Sequence, residues 1–135
     1  MYAYLISHDR EDIKTHTYIG CTGNFSKRLL QHNGVLPGGP RMTKRAAGHW
    51  KPIIVLKLPA DRSFDSKSFK REWKQSSRGL ESRIRKAFSL ALKHNLTIYI
   101  SKENTSNNRV LIFLNKKWKD NKINLSETEW NRLVN

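Results

Sequence analysis

A chain of 135 residues, 37% hydrophobic and 10% aromatic, can bury one modest core, which excludes a disordered chain and leaves room for one domain with a small extension. A formal charge of +15 and an isoelectric point near 10.3 draw polyanions, nucleic acid first among them, and repel other basic surfaces. Cys21 is the lone cysteine, so an intrachain disulfide and a cysteine-rich zinc site are both excluded.

The first residues lack the charged region and apolar core of a secretory signal, and the longest apolar runs, such as Ile53–Leu56, have strand length. The expected setting is therefore intracellular, nucleus or cytoplasm, with no membrane partner. Tyr2–Ser7 and His16–Gly20 are short aromatic and β-branched runs parted by a polar stretch, which predicts a hairpin with Tyr4 and Tyr18 facing each other. Asn24 or Thr22 caps a helix ending near Asn33, where Gly34 favours a left-handed stop. Arg28 and His32, four apart, share one face of it.

Gly34–His49 is rich in glycine, proline and base and reads as an irregular surface loop. Lys51–Leu58 is the third strand, and Asp65 or Ser66 caps a helix through Gln75 with Phe69 and Trp73 inward and Glu72 at its edge. Leu80, Ile84, Ala87, Phe88, Ala91 and Leu92 make an amphipathic helix ending near Asn95, its other face carrying Arg83, Arg85, Lys86 and Lys93. Thr97–Ile100 and Val110–Leu114 read as further strands joined by a polar loop. Ser126–Glu129 is a capping box opening a final helix with Trp130 and Leu133.

Hydrolysing a phosphodiester takes a base for the attacking water, a cation on the nonbridging oxygens and help for the leaving oxygen. Tyr4, Tyr18, Arg28 and His32 are residue types for these tasks: an arginine fork grips a phosphate, and an imidazole can relieve a phenol of its proton. Mg2+ binds few protein oxygens, so Glu72, alone within a strongly basic segment, can hold one ion. Each residue also has a plainer reading. Two tyrosines on adjacent strands form a packing pair, basic helix residues make a solvated face, and Glu72 is a surface ion-pair partner.

Taken together, Tyr2-Ala3-Tyr4, Tyr18-Ile19-Gly20, Arg28 and Glu72 resemble the motifs of the GIY-YIG endonuclease family. Within it, the chain is most similar to the Slx-type structure-selective endonucleases. That likeness rests on Arg28–Gly34, Gly38–Thr43, His49–Pro52 and Phe69–Trp73, and covers roughly residues 2–95. It departs at Tyr2 and Ala3, which replace a glycine and an isoleucine, at Cys21, where many relatives have a lysine, and at Ile84, near the place of an asparagine in some. The RING-like zinc module that follows the nuclease domain in that subgroup cannot be built with one cysteine.

The resemblance implies an α/β (α+β) GIY-YIG-like core over 1–95, a small, mostly antiparallel three-stranded sheet flanked by helices. Residues 96–135 are then a C-terminal extension packed on the core or used for docking a protein partner or a second copy. It implies hydrolysis of phosphodiesters in DNA, branched or junction DNA above all, with one Mg2+ or Mn2+ per site. Glu72 is the expected metal ligand, Arg28 the phosphate grip, Tyr4 the base with His32 taking its proton, and Tyr18 a positioning group, with the two tyrosine roles interchangeable. Lys27, Arg41, Lys44, Arg45, Lys70, Arg71, Arg83, Arg85 and Lys86 are the expected DNA contacts. The rivals are a catalytically silent nucleic-acid-binding module, a small RNA-binding or ribosome-associated protein, and a homing or mobile-element endonuclease of the same family.

Overall fold

Both faces of β1 (Tyr2–Ser7) are covered, so its run Ala3-Tyr4-Leu5-Ile6 is apolar without alternation, each of the four fully buried. Ala3 and Leu5 point into one cluster with α2 and α3, while Tyr4 and Ile6 point into a second with α1. The computed structural model describes residues 1–100, 112, 116, 124–126 and 130–134.

The fold is α+β. β2 (Thr17–Thr22), β1, β3 (Lys51–Lys57) and β4 (Thr97–Ile100) form an antiparallel sheet in that order, and β5 (Asn124–Ser126) adds in parallel beyond β4. The expected sheet of three strands is therefore too small. β3 would otherwise present an open edge of unpaired backbone groups; β4 covers it, with Ile98 and Ile100 buried against Leu56 and Ile54 in register. β4 lies in the stretch assigned above to the extension, as does Trp130 of α4 (Trp130–Val134), which joins Tyr4 and Phe25 in the second cluster.

α1 (Phe25–His32) begins where Asn24 accepts the Lys27 amide and stops at Asn33, after which Gly34 takes φ +74°. α2 (Ser66–Lys74) is capped by Asp65, which accepts the amides of Lys67 and Ser68. It turns Phe69 and Trp73 into the first cluster, a burial of the order of 2–3 kcal/mol for each ring. α3 (Gly79–His94) ends at Asn95 in the left-handed conformation. Leu90 and Leu92 flank its inward stripe; Leu90 is covered, whereas Leu92, expected inside, is 49% exposed.

Gly34–His49 is less irregular than its composition predicts. Arg41–Ala46 forms a 3-10 helix because Thr43 and Ala46 recur at a three-residue interval and both bury against the rest of the domain. Trp50 fastens this segment, its indole N–H donating to the Thr43 carbonyl at 2.9 Å. The predicted strand Val110–Leu114 lies outside the described residues except for Ile112, which is helical and exposed. The loop Ser101–Asn108 and Glu127–Glu129 of the capping box also lie outside them. Among the described residues no helix is long and apolar enough to cross a membrane.

Candidate active site

The hairpin register places Tyr4 opposite Gly20 and Tyr18 opposite Ile6, so the two phenols are diagonal neighbours rather than a facing pair, with ring centroids 6.3 Å apart. Gly20 is what makes room. A Cβ there would lie 2.4 Å from the Tyr4 hydroxyl oxygen, so the ring can lie across β2 only over a residue without a side chain.

From the last turn of α1, His32 closes over both tyrosines, its ring centroid 5.6 Å from that of Tyr4 and 4.9 Å from that of Tyr18. A chain of three hydrogen bonds runs through it. Tyr4 Oη lies 2.7 Å from His32 Nε2, His32 Nδ1 lies 2.9 Å from Thr43 Oγ1, and Thr43 Oγ1 donates to the Pro40 carbonyl at 3.1 Å. The last bond orients the rest. Thr43 has one hydroxyl proton and gives it to Pro40, so Nδ1 must carry the hydrogen and Nε2 must accept from the phenol.

Electrostatics agree with that neutral arrangement. Burial lowers the His32 pKa to about 4, and the charge of Arg28 pushes the same way. Burial raises the Tyr4 pKa well above the usual phenol value; hydrogen bonding and charge from Arg28 pull it down, while Tyr18 adds to the rise. Tyr4 is closed to solvent and Tyr18 is half-buried.

Arg28 stands one turn before His32. Its Nη1 donates to Gln31 Oε1 at 2.9 Å and to the Gly38 carbonyl at 3.1 Å, which holds the guanidinium beside the phenols and leaves other N–H groups of its fork for an anion. A pocket of about 500 Å3 opens next to His32, between Gln31, the turn 34–39, Lys44 and Ala47.

Tyr4, Tyr18, Arg28 and His32 are thus brought together, and Glu72 is not among them. α2 packs through Phe69 and Trp73 on the Ala3–Leu5 face of the sheet, opposite the tyrosines. The Glu72 carboxylate is engaged there: Lys93 Nζ donates to Oε1 at 2.6 Å, and His94 Nε2, buried without a hydrogen bond, lies 3.7 Å from Oε2. The hydrogen bond from Lys93 is the main reason its carboxyl pKa is lowered. A lone acid in a basic segment has a structural use after all.

The expected DNA contacts divide. Lys27, Arg41, Lys44 and Arg45 are exposed on α1 and the 3-10 helix, on the side of the phenols. Lys70 and Arg71 belong to α2, and Arg83, Arg85 and Lys86 to α3, on the other face. Several of these are occupied: Arg83 donates to Thr17 Oγ1 and the Ser77 carbonyl, Lys86 to the Gln75 carbonyl, and Arg85 pairs with Glu81 at 3.6 Å.

Sequence reasoning gave no role to Thr43, Gln31 or Asn33. Asn33 ties the end of α1 to the start of β3, its Oδ1 accepting the Gly48 and Trp50 amides and its Nδ2 donating to the Trp50 carbonyl. Gln31 and Asn33 stand either side of His32, within the motif already quoted, and that adjacency was the available signal. Thr43 closes the quoted Gly38–Thr43 motif, which was its one signal, and nothing in that motif by itself pointed to a partner for His32.

No family model matches the chain. A 43-residue stretch, 32% of the chain, is 42% identical to the structure-specific endonuclease subunit slx1 of Aspergillus oryzae. The stretch spans 11% of that protein's length. The similarity supports a relationship to structure-specific endonucleases.

Proposed function

We propose that this chain is a nuclease domain of the GIY-YIG type that hydrolyses phosphodiester bonds in DNA, acting on branched structures. The observation that carries the reading is the directed chain Tyr4–His32–Thr43 beside Arg28, a buried proton path next to an anion-gripping cation. Both ring nitrogens of His32 are occupied, so the one proton it can receive is that of Tyr4.

Arg28 grips the nonbridging oxygens of the phosphate, and Tyr18, the half-buried phenol, meets the substrate and orients it. As water attacks phosphorus, its proton passes to the Tyr4 oxygen while the phenol proton passes to His32 Nε2; the ester P–O bond breaks, its electron pair leaves with the ester oxygen, which takes a proton from solvent, and His32 returns its proton to solvent as product departs. The substrate must uncover the Tyr4 hydroxyl, which the free chain keeps closed. The similarity to slx1 and the charge of +15 support DNA as the polyanion.

The residues as placed do not fit a metal centre. Glu72, the one carboxylate expected to hold an ion, is bonded to Lys93 on the face of the sheet opposite the phenols. No step is routed through a cation. That arrangement favours a second reading, a nucleic-acid-binding module without catalysis.

Labelled four-way junction, flap, plain duplex and hairpin RNA, incubated with and without Mg2+, separate the two. The nuclease reading expects nicks in the branched DNAs, lost in Tyr4→Phe and Arg28→Ala with DNA binding largely kept in Tyr4→Phe. Binding to every substrate with no product under either condition overturns it.

A further inference from the structure

The pocket beside His32 is not used by that chemistry. Its rim is built rather than loose: the amides of Val35 and Leu36 both donate to the Leu30 carbonyl, at 3.0 and 3.3 Å, and Gln31 Nε2 donates to the Pro37 carbonyl at 3.2 Å. Gly34 at φ +74° and Gly38 at φ +98° let the chain curl back over the end of α1, a course that L side chains resist. Gly39 is held close as well, since a Cβ there would lie 2.4 Å from the Gln31 carbonyl oxygen.

This ordered turn holds apolar side chains out in water. Val35 is 68% exposed and Leu36 36%, while Met42, on the 3-10 helix that supplies Lys44 to the pocket, is 70% exposed. Lys44 is flanked on that helix by Arg41 and Arg45. An apolar lip that shares its pocket with the Lys44 cation matches a ligand that joins a flat apolar face to an anionic tether, which is a nucleotide. A base inside a duplex cannot present that face, because leaving the stack costs a few kcal/mol, whereas an unpaired base is free to do so.

We propose that this pocket receives one unpaired nucleotide of a DNA substrate, its base against Val35 and Leu36 and its phosphate on Lys44. The proposal rests on the nuclease reading above and supplies a physical source for selectivity towards branches. The turn that forms the pocket also accepts a bond from Arg28 at Gly38, so a nucleotide seated in it sets the distance to the next phosphate along the strand.

The full chain carrying Tyr4→Phe, which the nuclease reading expects to bind without cutting, is titrated into flap DNA carrying 2-aminopurine at the first unpaired position and into duplex carrying it at a paired one. The flap emission should change on binding and the duplex emission should not. Val35→Asp, on an exposed side chain, and Ala47→Leu, which adds bulk to the pocket lining, should each lower flap affinity roughly tenfold, abolish the emission change and leave duplex affinity and the melting temperature in place. Equal affinity for flap and duplex before Val35 or Ala47 is changed, or an emission change that persists undiminished in both variants, overturns the pocket. Cleavage of the same DNAs in Mg2+ is read separately: product without an emission change sinks the pocket alone, and an emission change without product sinks the nuclease reading alone.

Discussion

Lowering the pH from 7 to 4 should destabilise this protein through His32 in particular. The ring is 1% exposed, its Nε2 accepts from Tyr4 and its Nδ1 donates to Thr43, so protonation has to break the phenol bond and place a cation near Arg28 in a dry site. Its pKa is about 4 in the fold and the ordinary 6.5 in the unfolded chain. Below pH 6.5 the unfolded chain binds a proton that the folded chain refuses, so stability declines from there and the loss is complete as the pH passes the folded value. A gap of about 2.5 in pKa, at about 1.4 kcal/mol for each unit, makes that loss about 3 kcal/mol, a large share of the stability of an ordinary domain. Urea denaturation of the intact chain and of His32→Gln at half-unit intervals from pH 7.5 to 4 measures it. Glutamine can accept and donate at similar reach without titrating, and subtracting the two curves removes the carboxylates common to both. Parallel curves, with no relative loss between pH 6.5 and 4, would refute a buried neutral imidazole.

Two other perturbations are decisive elsewhere in the molecule. Gly20→Ala pushes a methyl against the buried Tyr4 ring at 2.4 Å and should cost about 1–3 kcal/mol, read as a lower melting temperature, together with a change in tyrosine absorbance as the phenol leaves His32. Lys93→Met releases Glu72 while keeping the length of the side chain. If the glutamate can take a divalent ion, Mn2+ should bind the variant more tightly than the parent by calorimetry, and equal absence of binding in both argues against a metal at Glu72.

Local signals carried the fold well where one rule sufficed. The caps at Asn24 and Asp65, the left-handed stop at Gly34, the end of α3 near Asn95 and the inward pair Phe69 and Trp73 all follow from spacing and side-chain chemistry within a few residues. Long-range pairing is less legible. β4 has strand composition, but its place beside β3 is decided by the need to cover an edge, which a reading in chain order does not meet. The 3-10 helix at Arg41–Ala46 was hidden because glycine, proline and charge dominate the composition around it, while its two anchors, Thr43 and Ala46, are small.

The site divides along the same line. Tyr4, Tyr18, Arg28 and His32 lie within a hairpin and the next helix, so alternation along the strands and the four-residue interval on α1 suffice to gather them on one face. Glu72 has no such constraint. Its direction is set by how α2 rotates as Phe69 and Trp73 bury, and that rotation presents the carboxylate to the end of α3, where Lys93 and His94 meet it. A mean field of one sign hides this kind of partner: in a chain of charge +15, an acid has many cations within reach, and the one it takes depends on packing rather than on sequence distance. The pair is part-exposed, so it is weakly held and can be exchanged at modest cost. The tyrosine–histidine chain, by contrast, is buried and directed, and it is broken by protonating His32 or by moving the core beneath it.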